Sequence, residues 1–374
     1  MFDLQLCNDW YRYDRDNPQD DNIHIRKLIT AAFEDSIQYL DLYKTGDDFR
    51  NGVIEADNIL CKKLDEIDDG DIRSHISLVA STHIDTAWLW QLKDTVRKCG
   101  HSFSNMLRLM DEYPEFIFSN SQAKLMSFTK EHYPALFEQI KQRQKEGRWE
   151  NVGTMWVESD CNVTSGESMT RQILYGVNFF EKEFGSRPNM AWLPDTFGFQ
   201  SNLPQIFKKS GTDYFYSYKL HWQADEVFPY GNFRWKGIDG SEIIGSVINN
   251  PPGGYNGDPN PRQFREVKKV YEQEAEVDEI IFPYGWGDGG GGPTREQIEY
   301  AKRLGDFPGL PKSEISTAKH YFERLEQYRK DLPTWYGELY IQTHRGTLTT
   351  EGFVKKNNRR FENLFLQLEK VHDD

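Results

Sequence analysis

The sequence alternates short β-type runs with longer helical segments between residues 76 and 285, and this alternation limits the fold more than any other feature. Runs rich in β-branched and aromatic residues, which favour strands, occupy residues 76–82, 115–120, 149–157, 189–194, 214–218, 242–248 and 279–285. Helical patterns that end near a glycine occupy residues 131–147, 168–185 and 203–211. Such alternation is typical of a parallel sheet with right-handed crossovers. Six or seven units of this kind predict an α/β fold, and a β/α barrel rather than an open sheet.

The segment before this alternation has a helical pattern. Apolar positions recur at the spacing of an amphipathic helix, at Ile25, Leu28, Ile29, Ala32 and Phe33. A second helical segment covers residues 53–64. A chain of 374 residues is long enough for one barrel or for two domains. We therefore predict an N-terminal helical segment over residues 1–70 and a barrel over residues 71–350.

The charge balance disfavours several classes of partner. The chain has 59 acidic and 45 basic residues, a formal charge of -14 and a pI near 5.2, so it repels nucleic-acid phosphates and anionic membranes. Its mean hydropathy is -0.75, and no run approaches the roughly 20 apolar residues that a spanning helix needs. The four cysteines lack the spacing of a disulfide framework or a thiolate zinc site. We expect a soluble, cytoplasmic protein without a nucleic-acid or membrane partner.

Histidines and aspartates follow three of the apolar runs. His83 and Asp85 come after residues 76–82, Asp195 follows 189–194, and His344 follows Leu339-Tyr340-Ile341. Because ligands bind at the carboxyl ends of strands in α/β folds, we expect these four side chains to meet. Two imidazoles and two carboxylates suit one zinc ion, with cobalt or manganese as alternatives. Taken singly, each has a plainer interpretation, such as Asp195 capping the helix after it.

A glycine-rich stretch at residues 282–300 allows two interpretations. Residues 285–290 fit the GxGxxG pattern of a dinucleotide site, and Asp306 lies about 20 residues further on. This pattern keeps a dinucleotide-dependent oxidoreductase open as an alternative. Asp288 argues against it, because a carboxylate within the turn repels a pyrophosphate. The other interpretation is that the glycines let the backbone carry Asp288 into a crowded pocket.

Five motifs together resemble the α-mannosidases of glycoside hydrolase family 38, particularly the bacterial and cytosolic type. They are HIDTAWLW, WLPDTFGFQSNLPQI, KLHW…FRWKGIDGS, GWGDGGGGPT and HRGTLTT, and the similarity covers roughly residues 74–364. The resemblance implies a zinc-dependent retaining exo-α-mannosidase that acts on an α-mannoside, as a small molecule or an oligosaccharide. It implies a seven-stranded β/α barrel as the catalytic domain. A homodimer stays open.

The resemblance also implies roles for individual residues. His83, Asp85, Asp195 and His344 match the family's metal ligands, and Asp195 also matches the nucleophile. Asp288 matches the acid/base and is expected to lie away from the metal, beside Trp286. Trp88 matches a tryptophan that lies against the sugar, and Trp286 is a second candidate for sugar contact because aromatic rings stack on sugar C–H faces.

The chain differs from the family in its flanking segments. Members carry domains on both sides of the barrel, whereas 82 residues precede His83 and 30 follow His344 here. We expect residues 351–374 to be the start of a helical bundle. Because downstream segments help to complete the family's active sites, a mannose-binding fragment without catalytic activity is a further alternative.

Overall fold

The helices and strands follow one another along most of the chain. The computed structural model describes residues 1–16, 23–68, 72–225, 227–251 and 253–372. The α-helices are α1 (Phe2–Asp16), α2 (Ile23–Ile37), α3 (Gly46–Asp65), α4 (Leu92–Glu112), α5 (Ala123–His132), α6 (Pro134–Lys145), α7 (Gly166–Phe184), α8 (Leu203–Lys209), α9 (Pro261–Val270), α10 (Arg295–Arg303), α11 (Ala318–Leu325) and α12 (Gly352–His372). The strands are β1 (His75–Ala80), β2 (Phe118–Asn120), β3 (Trp149–Asn151), β4 (Met190–Trp192), β5 (Tyr214–Tyr216), β6 (Asn232–Lys236), β7 (Glu242–Ser246), β8 (Glu279–Tyr284), β9 (Lys312–Ile315) and β10 (Thr334–Tyr336).

The strands form three sheets, with orders β8-β1-β9, β2-β3 and β10-β6-β7-β5-β4. All strand pairs are parallel except β6 with β7. Single contacts join the sheets, since Ser81 bridges to Ser119 and the Thr154 N–H donates to the Met190 carbonyl at 2.9 Å. The α/β class is therefore confirmed. Continuous hydrogen bonding around a closed seven-stranded barrel is not seen between the described strands, so the barrel stays a prediction.

Each of the seven predicted β-type runs contains an observed strand, from β1 to β5 and then β7 and β8. Strands β6, β9 and β10 were not predicted, because they lack a continuous apolar run. The expected strand at residues 339–341 was wrong, because Leu339 makes only an isolated antiparallel bridge, to Phe199. The strand nearest to His344 is β10, which ends at Tyr336.

Local capping explains several helix boundaries. Ser165 accepts a hydrogen bond from the Ser168 N–H at the start of α7, and Gly185 ends the helix in the left-handed region at φ 65°. Thr294 and Gln297 form a reciprocal capping box on α10. The predicted helix over 131–147 is confirmed as α6, which begins at Pro134 because proline favours the first turn of a helix.

The N-terminal helices pack into the same core as the sheet. Trp10 of α1 is 1% exposed, and its ring lies 5.6 Å from that of Phe307. Ile29 of α2 and Leu60 of α3 are fully buried in this core together with Leu78 of β1. The predicted boundary at residues 70 and 71 lies outside the described residues, and the division into domains stays a prediction. None of the helices in the described ranges has both the length and the apolar composition needed to cross a membrane.

Candidate active site

A cavity of about 540 Å³ opens beside the carboxyl ends of the parallel strands. It contains every predicted site residue except Trp286, namely His83, Asp85, Trp88, Asp195, Asp288 and His344. Trp88 and Trp286 are both 59% exposed. The expected convergence of the polar side chains on one place in the fold is thus observed.

Backbone strain is concentrated in this cavity. Among the described residues other than glycine, four have a positive φ: Gln122, Asp288, His344 and Glu351. The first three line the cavity. Side chains disfavour this region of backbone space, and strain of this kind accumulates at functional sites. The strain at these three positions makes this cavity the candidate functional site.

His83 lies at the centre of the polar cluster and is 5% exposed. Its Nε2 atom is 3.4 Å from Asp85 Oδ1 and 3.6 Å from Asp195 Oδ2. These distances are long for hydrogen bonds. They are close to the edge of a tetrahedron with metal–ligand bonds of about 2.0–2.1 Å, which is roughly 3.3–3.4 Å. The chemistry of these donors and their spacing therefore fit a zinc-like ion.

The third member of this cluster is Asp288. Ligand atoms of His83, Asp85 and Asp288 all lie within 4.8 Å of one another. Asp288 was expected to lie away from the metal, and this expectation stays a prediction, although the turn that carries Asp288 is hydrogen-bonded to the backbone of His83. His344 lines the cavity, but its ring stacks on Phe197 at 5.2 Å. The predicted four-ligand set, with Asp195 and His344, stays a prediction.

His83 and Asp195 shift each other's pKa values in opposite directions. Burial alone lowers the pKa of His83, but its contacts with Asp195 and Asp85 outweigh burial and raise that pKa well above the usual value. Burial alone raises the pKa of Asp195, whereas His83 and Lys219 lower it to about 2. Asp195 is consequently a carboxylate across the physiological range, as a metal ligand or a nucleophile must be.

Lys219 supports this charge from the opposite side. Its Nζ atom is 2.7 Å from Asp195 Oδ1, and the residue is 3% exposed. The ammonium group lies 3.3 Å from the centroid of the Trp222 ring, where the face of the aromatic ring attracts a cation. A buried ammonium group paired in this way fixes both the position and the charge of Asp195.

Tyr255 connects the two proposed catalytic carboxyl groups. Its hydroxyl is 2.9 Å from Asp195 Oδ1 and 2.9 Å from Asp288 Oδ1. The two carboxyl oxygens therefore lie no further apart than twice that distance. A phenol has only one proton to donate, so both contacts are hydrogen bonds when one of the carboxyl groups carries a proton of its own.

The glycine-rich loop is closed on itself and hydrogen-bonded to the backbone of His83. Trp286 and Gly292 exchange two backbone hydrogen bonds, and the N–H groups of Gly289 and Gly290 donate to the His83 carbonyl at 3.3 and 3.2 Å. These N–H groups are therefore not available to bind a pyrophosphate. This geometry disfavours the dinucleotide alternative and supports the interpretation of the loop as a carrier for Asp288.

Comparison with known proteins identifies the family. The model of the glycosyl hydrolases family 38 N-terminal domain matches residues 73–338. The chain belongs to glycosyl hydrolase family 38. It is 41% identical to alpha-mannosidase 2C1 of Homo sapiens over 303 residues, which are 80% of this chain and 29% of that protein. It is 42% identical to alpha-mannosidase G of Dictyostelium discoideum over 293 residues, which are 78% of this chain and 26% of that protein.

A solved structure supports the fold of this family 38 chain. An alpha-mannosidase from Enterococcus faecalis V583 superposes with a TM-score of 0.62 at 21% identity, covering 71% of this chain and 31% of that one. The family model and the two sequence relatives confirm the family resemblance inferred from the five motifs. The chain spans less than a third of the length of the relatives described here.

Four site residues of this family 38 domain were missed from the sequence: Gln122, Glu158, Lys219 and Tyr255. Lys219 could have been noticed as the one lysine in the aromatic-rich segment 214–222. Gln122 and Glu158 follow β2 and β3, so the rule used for His83 and Asp195 applies to them too. Tyr255 lies within a long loop and gave no signal in its sequence pattern.

Proposed function

We propose that this chain is the catalytic domain of a metal-dependent retaining exo-α-mannosidase that hydrolyses terminal α-linked mannose by way of a covalent glycosyl-enzyme. The observation that carries the proposal is the pair of carboxyl groups on either side of the Tyr255 hydroxyl. Retaining glycosidases hold their two carboxyl groups about 5–5.5 Å apart, and inverting enzymes about 6.5–9.5 Å apart. Because the Tyr255 hydroxyl is 2.9 Å from each Oδ1 atom, the distance between Asp195 Oδ1 and Asp288 Oδ1 is at most twice 2.9 Å. This short separation favours the retaining arrangement.

In this proposal, His83, Asp85, Asp195 and His344 hold one zinc ion. When bound, zinc supplies a Lewis acid that orients sugar hydroxyl groups. Asp195 attacks the anomeric carbon while Asp288 gives its proton to the leaving oxygen, so that a sugar–carboxylate bond replaces the glycosidic bond. Asp288 then takes a proton from water, the water oxygen attacks the same carbon, and Asp195 leaves as a carboxylate.

The remaining parts of the proposal concern the substrate and its location. Trp88 at the cavity wall and the exposed Trp286 offer aromatic faces for the sugar or its leaving group. We assign the activity to the cytoplasm, supported by the resemblance to the cytosolic type and by four cysteines that all remain free thiols.

Hydrolysis of an aryl α-mannoside tests the proposed activity. We expect turnover by the purified chain with added zinc, loss of turnover after chelation, and recovery when zinc is restored. Proton NMR of the first-formed sugar is expected to show α-mannose, because two displacements at the same carbon restore the configuration. β-Mannose as the first product would contradict the role of Asp195. Mannose binding without turnover would instead favour the non-catalytic alternative.

A further inference from the structure

Glu158 lies directly behind His83, on the side away from the cavity carboxylates. The Glu158 side chain is 8% exposed, and the residue follows β3 in the sequence. Glu158 Oε2 is 3.5 Å from His83 Nδ1, whereas His83 Nε2 faces Asp85 and Asp195. Neither Glu158 Oε2 nor His83 Nδ1 has a hydrogen-bond partner within the ranges that the structure describes. Two buried polar atoms without hydrogen-bond partners therefore face each other at a distance slightly longer than a normal hydrogen bond.

The other oxygen of Glu158 is already engaged. Glu158 Oε1 accepts the backbone N–H of Asp195 at 2.6 Å and the Thr196 hydroxyl at 3.1 Å. The backbone N–H of Glu158 in turn donates to the side chain of Gln122 at 3.2 Å. The Glu158 carboxylate thus contacts both the backbone of Asp195 and the ring of His83. These two residues approach each other at 3.6 Å, between His83 Nε2 and Asp195 Oδ2.

We propose that Glu158 is a positioning residue that keeps the His83 proton on Nδ1 and so leaves Nε2 free to bind the metal. This inference rests on the proposed function, because it requires that His83 is a metal ligand. An imidazole that binds a metal through one nitrogen commonly donates its other N–H to a carboxylate, which fixes the tautomer and the orientation of the ring. Loss of such a partner typically weakens metal binding about 10- to 100-fold.

The requirement for two acceptor oxygens makes the inference specific. Glu158 accepts from Asp195 and Thr196 with one oxygen, and the inference assigns the His83 Nδ1–H to the other. In Glu158→Gln, the amide keeps the size of the side chain but has one acceptor oxygen. If that oxygen faces Asp195, the NH₂ group faces Nδ1 and favours the tautomer with its proton on Nε2, which cannot bind the metal through Nε2. In the opposite orientation, the NH₂ group meets the Asp195 N–H.

Glu150 offers a matched control on the same strand-and-loop segment. Its two oxygens accept the N–H groups of Ala318 and Lys319 at 2.9 and 2.8 Å. Glu150→Gln therefore also removes one of two acceptor oxygens from a carboxylate that binds backbone N–H groups. Glu150 is not part of the cavity lining, so this variant measures the structural cost of the change alone.

The test is a comparison of zinc affinity, by competition with a chromophoric chelator, for the wild-type chain, Glu158→Gln and Glu150→Gln. We expect affinity to fall about 10- to 100-fold for Glu158→Gln, and to stay within about twofold of wild type for Glu150→Gln. Equal affinities of Glu158→Gln and wild type would overturn the inference. No zinc binding by the wild-type chain would instead overturn the proposed metal site, so the two failures are distinguishable.

A second measurement needs no variant and therefore does not depend on whether Glu158→Gln folds. Nitrogen-15 NMR of the zinc-loaded wild-type chain, with His83 assigned, reports which ring nitrogen carries the proton. We expect a protonated Nδ1 and a metal-bound Nε2. A proton on Nε2, or metal bound through Nδ1, would overturn the role of Glu158 even if the chain binds zinc.

Discussion

At the scale of single residues, Asp195 and Asp288 share one tyrosine but are expected to fail in different ways when they are replaced. Asp195→Ala removes both the nucleophile and a proposed metal ligand, so we expect loss of turnover and of most bound zinc. Asp288→Ala removes only the acid, and we expect turnover of a disaccharide to fall about 10²- to 10⁴-fold. An activated aryl mannoside needs little protonation and should lose much less. Steady-state kinetics on both substrates and the zinc content of each variant check this prediction.

The zinc content of Asp288→Ala is informative because Asp288 lies within 4.8 Å of the ligand atoms of His83 and Asp85. Full zinc content with a selective loss on the disaccharide fits the acid role. Zinc loss together with equal losses on both substrates would make Asp288 a ligand instead. The Glu150→Gln variant, changed outside the cavity, serves as the control for general loss of structure.

Sequence patterns were sufficient to predict the site residues at strand ends. They were insufficient to predict the residues that contact and support them. His83, Asp85 and Asp195 stand out because each follows an apolar run, and a strand delivers its carboxyl end to the cavity. Lys219 and Tyr255 act through contacts with Asp195 across 24 and 60 positions of the chain. Such pairings depend on how the loops fold over the sheet, which local pattern does not encode.

At the scale of elements, the glycine-rich loop holds Asp288 in place through close backbone packing. A Cβ atom on Gly290 would lie 2.4 Å from Ser102 Oγ, at a φ of +93° that side chains disfavour. We expect Gly290→Ala to shift the loop and to lower kcat/KM about 100-fold, the size of loss that follows from roughly 1 Å of misplacement. Kinetics on an unactivated mannoside, together with chemical unfolding, measure the effect.

Gly240 is the control for this prediction. It has a comparable φ of +85° in the turn between β6 and β7, but a Cβ atom there would meet nothing within 4 Å. Gly240→Ala should therefore cost about 1 kcal/mol of stability through backbone strain and leave kcat/KM unchanged. Equal kinetic losses in the two variants would show that the tight packing of Gly290 does not position Asp288.

The element pattern was predictable wherever the signal was local. The runs behind β1, β5 and β8 are apolar over several residues, and such runs are buried strands in a parallel sheet. By contrast, β10 spans only Thr334–Tyr336, and two of its three residues are exposed. Its place at a sheet edge depends on pairing with β6, a partner about 100 positions away. Sequence periodicity alone does not reveal such a strand.

At the scale of the whole molecule, the N-terminal helices and the sheet share one core, so we expect them to unfold together. Trp10 is 1% exposed, and the Arg265 guanidinium lies 4.7 Å from the centroid of its ring. Trp10→Ala should lower the free energy of unfolding by about 3–5 kcal/mol. We expect one transition at a lower midpoint when circular dichroism and the turnover of an aryl mannoside are followed in parallel.

Tyr43 is the control position for Trp10→Ala, because its side chain is 98% exposed. Tyr43→Ala should change the free energy of unfolding by no more than about 0.5 kcal/mol. If Trp10→Ala instead produced a separate early transition that left turnover intact, residues 1–70 would be an independent domain.

The loop that carries Asp288 is hydrogen-bonded to the carbonyl of His83, so we expect binding at the loop and binding at His83 to be coupled. Gly289 and Gly290 both donate to that carbonyl, so the order of the loop and the position of the proposed ligand are parts of one equilibrium. By linkage, a leaving-group sugar that orders the loop strengthens ion binding by the same factor by which the ion strengthens sugar binding. In the proposed enzyme, we therefore expect retention of the ion to depend on the bound sugar as well as on the protein ligands.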